Sequence, residues 1–209
     1  MQPVTTPMIY RSTKRLLDIV IAAAAMIILS PIMLIVALLI LIRMGRPILF
    51  VHERAGLHGR LFKLYKFRTM TGKPDLQGGA ASHEERLTPL GGKLRALSLD
   101  EMPQFWNVLM GNMSLVGPRP LWPEYLPLYS PEQARRHEVK PGITGWAQVN
   151  GRNATTWEKR FKLDVWYADH RGLWLDLKIL ALTVIKIMRR EGITPDGRAS
   201  LERFKGSNR

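Results

Sequence analysis

The sequence predicts a mixed α/β fold, mostly helical with short strands, led by an N-terminal helix that enters a membrane. Three observations predict it. An uncharged run, "IVIAAAAMIILSPIMLIVALLILI", fills 19–42. Two strand-like runs flank a Gly-rich turn within "PILFVHERAGLHGRLFKLYKFRTM" (47–70). The rest is dominated by stretches with helical spacing and good N-cap residues, closing on the apolar "LWLDLKILALTVIKIMRR" (173–190).

The first run exceeds the roughly 20 residues that carry a helix across a bilayer. It is too long for the apolar core of a signal peptide, about 7–15 residues. A buried core helix would be shorter and would show a polar face. Ser30-Pro31 sits mid-run. Proline lacks the N–H and its ring clashes with the preceding turn, so the helix kinks or breaks there, and Ser30 can satisfy some of the freed backbone. Arg11, Lys14 and Arg15 precede the run, and Arg43 and Arg46 follow it. A crossing helix usually shows its basic bias on one side. Pattern alone leaves two topologies open: a helix that bends at Ser30-Pro31 and returns to the face it entered, and a kinked helix that crosses, since proline is tolerated in such helices. The chain divides into an N-terminal membrane segment, 1–46, and a compact domain, 47–209.

Within that domain, short strands surround the turn at Gly56–Gly59. Residues 71–85 form a polar, Gly-rich loop. Helices cover about 89–97 and 100–110. Residues 130–139 form a short helix, with Ser130 as N-cap and Pro131 at the first position. Residues 140–153 read as loop and short strand, and 155–170 as helix. The last helix carries Lys178, Lys186, Arg189 and Arg190. It reads equally as a core helix with a solvated basic edge and as an amphipathic helix in the headgroup layer. The tail from Pro195 is polar and frayed.

The 209 residues carry 31 Lys and Arg against 17 Asp and Glu, a net charge of +14. Partners are therefore anionic: nucleic acid, anionic lipid or phosphorylated small molecules. No cysteine is present, which excludes disulfides, thiolate catalysis and Cys-based metal sites. A metal would need oxygen or imidazole ligands, so Mg²⁺ is more natural than structural Zn²⁺. The five histidines show no metal-ligand spacing, and no Walker A, dinucleotide-binding, zinc-protease or serine-elbow pattern occurs.

Against this charge, Asp100 and Glu101 stand side by side in "SLDEMPQFWNVLMGNMSLVGPRP" (98–120). One reading is a capping box, Ser98-x-x-Glu101, with acids favouring the start of a helix. The other is chemical. Arg95, Arg119 and Arg152 are candidates to surround the pair, and guanidinium grips phosphate in a bidentate fork. Carboxylates among arginines stay ionised, so one can attack phosphorus. The second can help hold Mg²⁺ or manage a proton. "GPRP" stiffens the backbone that carries Arg119. "KLYKFR", with Lys66 and Arg68, and "NGR" offer further anion contacts or a solvated basic face. Trp106, Trp146 and Trp157 suit core packing or stacking on a base or sugar.

Together, "KRLLDIV…SP", "KLYKFRTM", "RLTPLGGKLRALSLDEMPQFWNVLMGNMSLVGPRP" and "RHEVKPGITGWAQVNGRN" resemble the bacterial sugar transferase family, the monotopic polyprenyl-phosphate phosphoglycosyl transferases. The resemblance covers about residues 10–190 and is nearest to the small PglC-type members, which transfer a phospho-sugar such as diacetylbacillosamine phosphate. It implies that Asp100 is the nucleophile and contacts Mg²⁺, with Glu101 its dyad partner. It implies phosphate binding by Arg95 and Arg119, a place for Arg152 at the nucleotide-sugar site, and a basic strand with Lys66 and Arg68 near the active site. Ser30-Pro31 matches the break of a re-entrant helix, which favours the non-crossing topology. The implied reaction takes a UDP-sugar, such as UDP-diacetylbacillosamine or another N-acetylated amino sugar, and releases UMP. It leaves a covalent phospho-sugar on Asp100, then passes it to undecaprenyl phosphate in the first membrane step of a glycoconjugate pathway. The first turn of an amphipathic helix would set Asp100 at headgroup level. The implied location is the cytoplasmic face of a bacterial inner membrane, with a homodimer left open. The rivals are a membrane-bound UDP-sugar hydrolase or phosphatase, and a membrane-tethered nucleic-acid-binding module. Arginines clustered around acids argue against nucleic acid as a partner.

Overall fold

In a computed structural model of the chain, residues 8–71, 86–151, 156–189 and 204–206 are described. Helix α1 (Met8–Met44) has 37 residues, about 55 Å at 1.5 Å per residue. It stays helical through Pro31, so the break allowed by the sequence does not occur. Pro31 cannot donate to the carbonyl of Ile27, four residues back. Ser30 Oγ donates to that carbonyl instead, at 2.7 Å, and the group that proline orphans is satisfied locally.

Both ends of α1 dock on the same body. Near its start, Asp18 Oδ1 accepts from Ser114 Oγ at 3.1 Å and from the Leu115 N–H at 3.0 Å. Lys14 pairs with Asp176 at 2.8 Å, and Ala22 joins the core. Near its end, Val36 and Ile40 pack with Phe67 and Leu94. Between these anchors the helix exposes Ile27, Ile28, Leu34 and Ile35. Lys14 and Arg15, which flank the apolar run, hold the domain: Arg15 donates to the carbonyls of Val108 and Leu109 at 2.6 and 2.8 Å.

Strands β1 (Leu49–Ala55) and β2 (Leu61–Phe67) pair antiparallel around the short 3₁₀ turn Leu57–Gly59, where the Gly-rich turn was expected. Helix α2 (Pro89–Ala96) follows, capped by Thr88. The predicted helix over 100–110 is in fact a 3₁₀ turn, Leu99–Glu101, and then α3 (Gln104–Leu109). Pro103 limits the α-helix to the residues after it. Strand β3 (Ser114–Val116) runs parallel to β4 (Gly142–Thr144). Between them lies α4 (Pro131–Ala134), with a full capping box between Ser130 and Gln133. Residues 146–151, expected as loop, are α5 (Trp146–Gly151). Helices α6 (Trp157–His170) and α7 (Leu173–Met188) close the domain.

The main core gathers Ala22, Leu64, Val108, Met113, Leu115, Val116, Val149, Tyr167 and Ile179. Helix α7 joins the core and also carries exposed apolar residues. Ile179 is buried in the core, while Trp174, Leu177 and Val184 are exposed on it. The loop 71–85 and the tail from Pro195 lie outside the described residues, save Thr71 and 204–206. That remnant of the tail is not frayed: Phe204 is buried against Leu121, Tyr125 and Phe161.

Candidate active site

The acids stand on the 3₁₀ turn between α2 and α3. Ser98, before them, adopts φ 55°, ψ 19° and makes no side-chain cap. The capping-box reading therefore fails: a left-handed residue cannot present its hydroxyl as an N-cap, and the α-helix starts beyond Pro103. The side chains of Asp100 and Glu101 are free for other work.

Glu101 is saturated with cations. Lys66 Nζ and Arg119 Nη2 both donate to its Oε1, at 2.7 and 2.6 Å. Burial by itself would raise its pKa, but the two cations outweigh burial and hold the carboxyl far below the usual range. Asp100 is the opposite. It is 7 % exposed, and its side chain makes no hydrogen bond among the described residues. Burial, followed by the charge of Glu101, pushes its pKa up to about 6, while Lys66, Arg95 and Arg119 pull the other way. One acid is locked as an anion. Its neighbour is ionised near neutral pH and has no hydrogen-bond partner among the described residues.

The cations are held by the fold. Lys66 lies on β2. Arg95, on α2, donates from Nε to Thr69 Oγ1 at 3.0 Å; burial lowers its pKa, and Asp100 and Glu101 draw it back up. Gly91 lets α2 approach that close, since a Cβ there would lie 1.9 Å from the Thr69 carbonyl oxygen. Arg119 sits on the turn after β3. A Cβ on Gly117 would lie 2.2 Å from the Lys140 carbonyl oxygen, so the turn is pressed against the segment entering β4. The Arg119 carbonyl accepts from Arg136 Nη2 at 2.7 Å. Arg136 and Asp164 form a buried ion pair at 2.8 Å beneath it.

Of the residues singled out from sequence, Arg95, Asp100, Glu101, Lys66 and Arg119 converge. Arg152 lies outside the described residues. Arg68 does not join them. Its guanidinium donates to the carbonyls of Met44, Gly45 and Arg46 and closes the C-terminus of α1, where cations are favoured. Sequence reasoning missed Arg54 and Gln104. With Leu64, Lys66, Arg119 and Pro120 they line a small cleft of about 30 Å³ that opens to solvent. The signal for Arg54 was available in strand alternation: Phe50, His52 and Arg54 share the face of β1 that pairs with Lys66, Leu64 and Phe62 of β2.

Mg²⁺ fits this donor set. Among the described residues no group of three or more His, Cys, Asp or Glu could form a metal cage. Mg²⁺ needs none, because it is held by one or two carboxylates plus substrate phosphates. Asp100 offers one such unpartnered carboxylate.

The family model for bacterial sugar transferases matches residues 9–190. The chain is 54% identical over 194 residues to the uncharacterised sugar transferase EpsL of Bacillus subtilis (strain 168), covering 93% of this chain and 96% of that one. It is 42% identical over 183 residues to the UDP-glucose:undecaprenyl-phosphate glucose-1-phosphate transferase of Klebsiella pneumoniae, covering 83% of this chain and 39% of that one. It is 39% identical over 188 residues to a UDP-N-acetylgalactosamine-undecaprenyl-phosphate N-acetylgalactosaminephosphotransferase of Aeromonas hydrophila, covering 86% and 44%. The chain thus spans about two fifths of the length of these last two relatives.

Proposed function

The chain belongs to the bacterial sugar transferase family, and we propose that it is an undecaprenyl-phosphate sugar-1-phosphate transferase that releases UMP from a UDP-sugar through a phospho-sugar held on Asp100. The observation that carries this reading is the asymmetry of the acid pair: Glu101 is saturated by Lys66 and Arg119, and Asp100 is unpartnered among the same cations. An unpartnered, desolvated carboxylate is a nucleophile, and a saturated one is an anchor for the cations that receive phosphate.

The steps follow from those roles. Lys66, Arg95 and Arg119 draw the diphosphate to the acids and take up charge as it shifts between oxygens. An Asp100 carboxylate oxygen attacks the phosphorus nearest the sugar, and the bond to the bridging oxygen breaks, which frees UMP. Undecaprenyl phosphate then attacks the same phosphorus, and the Asp100–phosphorus bond breaks. The carboxylate is restored, and neither half-reaction needs an external proton. Mg²⁺, held by Asp100 and the substrate phosphates, would supply charge neutralisation.

A monotopic attachment on the cytoplasmic face suits this chemistry. Both ends of α1 are fastened to one charged domain, and a helix that crossed the bilayer would deliver its ends to opposite sides. The exposed middle of α1 and the apolar outer side of α7 would meet lipid, so that a soluble nucleotide and a buried lipid phosphate reach one carboxylate.

The test is UMP release from UDP-glucose, UDP-galactose, UDP-N-acetylgalactosamine and UDP-diacetylbacillosamine, with and without undecaprenyl phosphate, in Mg²⁺. The wild type releases a stoichiometric burst without lipid and turns over with it, and Asp100→Asn releases none. Steady turnover without lipid would make the enzyme a hydrolase. Full activity in Asp100→Asn would end the covalent reading.

A further inference from the structure

Arg54 stands out once the charges around the acid pair are balanced. Lys66 and Arg119 share one carboxylate. Arg54 has no hydrogen bond or ion pair among the described residues. Its guanidinium carbon lies over Trp122, 3.5 Å from the ring centroid, and its Nε is buried without a partner among the described residues. Burial, followed by the charge of Arg119, lowers its pKa to about 10, and the nearby charge of Glu124 only partly offsets this. A partly buried cation beside another, with only partial compensation, gains from a further anion. Beside it, Gln104 is 3 % exposed, lines the same cleft, and makes no side-chain hydrogen bond among the described residues. Its amide is not sealed from solvent, so it can take a partner from the cleft.

We propose that Arg54 and Gln104, with the free faces of Lys66 and Arg119, form a subsite for a phosphate monoester, and that this one subsite is used twice in each catalytic cycle. The proposal rests on the transferase reading above. In the first half-reaction the group that leaves phosphorus is the monoester UMP. In the second, the group that attacks is the monoester of the lipid. In-line displacement puts the attacking and leaving oxygens on opposite sides of the phosphorus. Asp100 occupies one side in both halves, so UMP must depart from the place that the lipid phosphate then fills. Arg54 offers fixed donors to a dianion at that place. The neutral amide of Gln104 can serve a phosphate with either tail, and Trp122 holds the guanidinium plane in position. The same region suits both tails. Arg54 shares β1 with the exposed Phe50 and Val51, and Trp122 is exposed too, so an isoprenoid would find apolar surface beside its headgroup.

The experiment compares wild type, Arg54→Met and Gln104→Met as full-length protein in detergent micelles with Mg²⁺. UMP binding is measured by calorimetry, and the KM for undecaprenyl phosphate by turnover with saturating UDP-sugar. Arg54→Met is expected to weaken UMP binding about tenfold and to raise the KM for the lipid by a similar factor, as expected for loss of charged hydrogen bonds. Gln104→Met should move both in the same direction by less, and Arg54→Lys should recover part of each. A change in UMP alone, in lipid alone, or in neither would overturn the shared subsite. A thermal melt identifies a variant that is misfolded, and the other variant then decides. If wild type binds no UMP and releases none from any UDP-sugar, the transferase reading fails, which is a different result from a variant that matches an active wild type.

Discussion

Two charge clusters lie on either side of Arg119, and they are built on opposite principles. Beneath its backbone, Arg136 and Asp164 are 2 % and 1 % exposed, and two nitrogens of one guanidinium, Nε and Nη2, bind one carboxylate oxygen at 3.0 and 2.8 Å. That pair is closed and has no access to substrate. At its side chain, the cluster of Lys66, Arg95, Asp100 and Glu101 is left incomplete, with one acid saturated and one bare. Complete pairing makes a support, and incomplete pairing makes a reactive site. The fold uses its most buried ion pair to hold the Arg119 backbone, and leaves unpartnered the carboxylate that we propose as the nucleophile.

The largest expected difference between the clusters is in activity. Asp100→Asn should abolish UMP release, by about 10³-fold or more, while its melting temperature rises. The pKa of Asp100 is raised in the folded state, so its charge weakens folding at neutral pH, and the amide removes that charge. A lower melting temperature would mean that the carboxylate supports the fold.

The closed cluster should break in the opposite sense. Arg136→Met strands the Asp164 charge and should cost about 3–5 kcal/mol of stability, and Arg136→Met with Asp164→Leu should recover most of it. Denaturant titration of the three proteins checks this. Failure of the double variant to recover would show that the pair does more than compensate itself.

Glu101→Gln sharpens the coupling inside the open cluster. The charge of Glu101 helps hold Asp100 near pH 6, so its removal lowers the Asp100 pKa. The acidic limb of kcat/KM, where activity falls as Asp100 gains its proton, should move to lower pH even as the rate drops. An unmoved limb would assign it to another group.

The smallest effect concerns the hinge of the site. Ser98 pays for a left-handed conformation, about 1–2 kcal/mol for a residue with a Cβ. Ser98→Gly should therefore stabilise the protein by about 1 kcal/mol, read by denaturant titration. Destabilisation would show that the Ser98 side chain has a role that its contacts do not reveal.

Much of the fold was legible because it follows from local chemistry. The uncharged run of α1, the Gly-rich turn between β1 and β2, the Ser130 capping box and the helices α6 and α7 all depend on neighbours in sequence. The acid pair was legible because adjacent carboxylates in a basic chain are unusual. Errors came where a distant partner overrode a local signal. Arg68 reads as an anion contact from its neighbours, yet three carbonyls at the end of α1 take its donors. Ser98-x-x-Glu101 satisfies the spacing of a capping box, but Pro103 delays the helix, and Lys66 and Arg119 take Glu101.

The sequence by itself determined that this protein is basic, that it carries a long uncharged run near its N-terminus that suits a membrane, and that two acids stand side by side. Those properties come from composition, hydropathy and short spacings. Only the tertiary structure decided which acid is bare and which is saturated, that both ends of α1 are fastened to one body, and that Gln104 faces the same cleft as Lys66. Each of these depends on groups 18 to 162 residues apart along the chain. Side-chain hydrogen bonds and Coulomb forces act over a few ångströms, so the approach of such groups is set by packing and not by the order of residues.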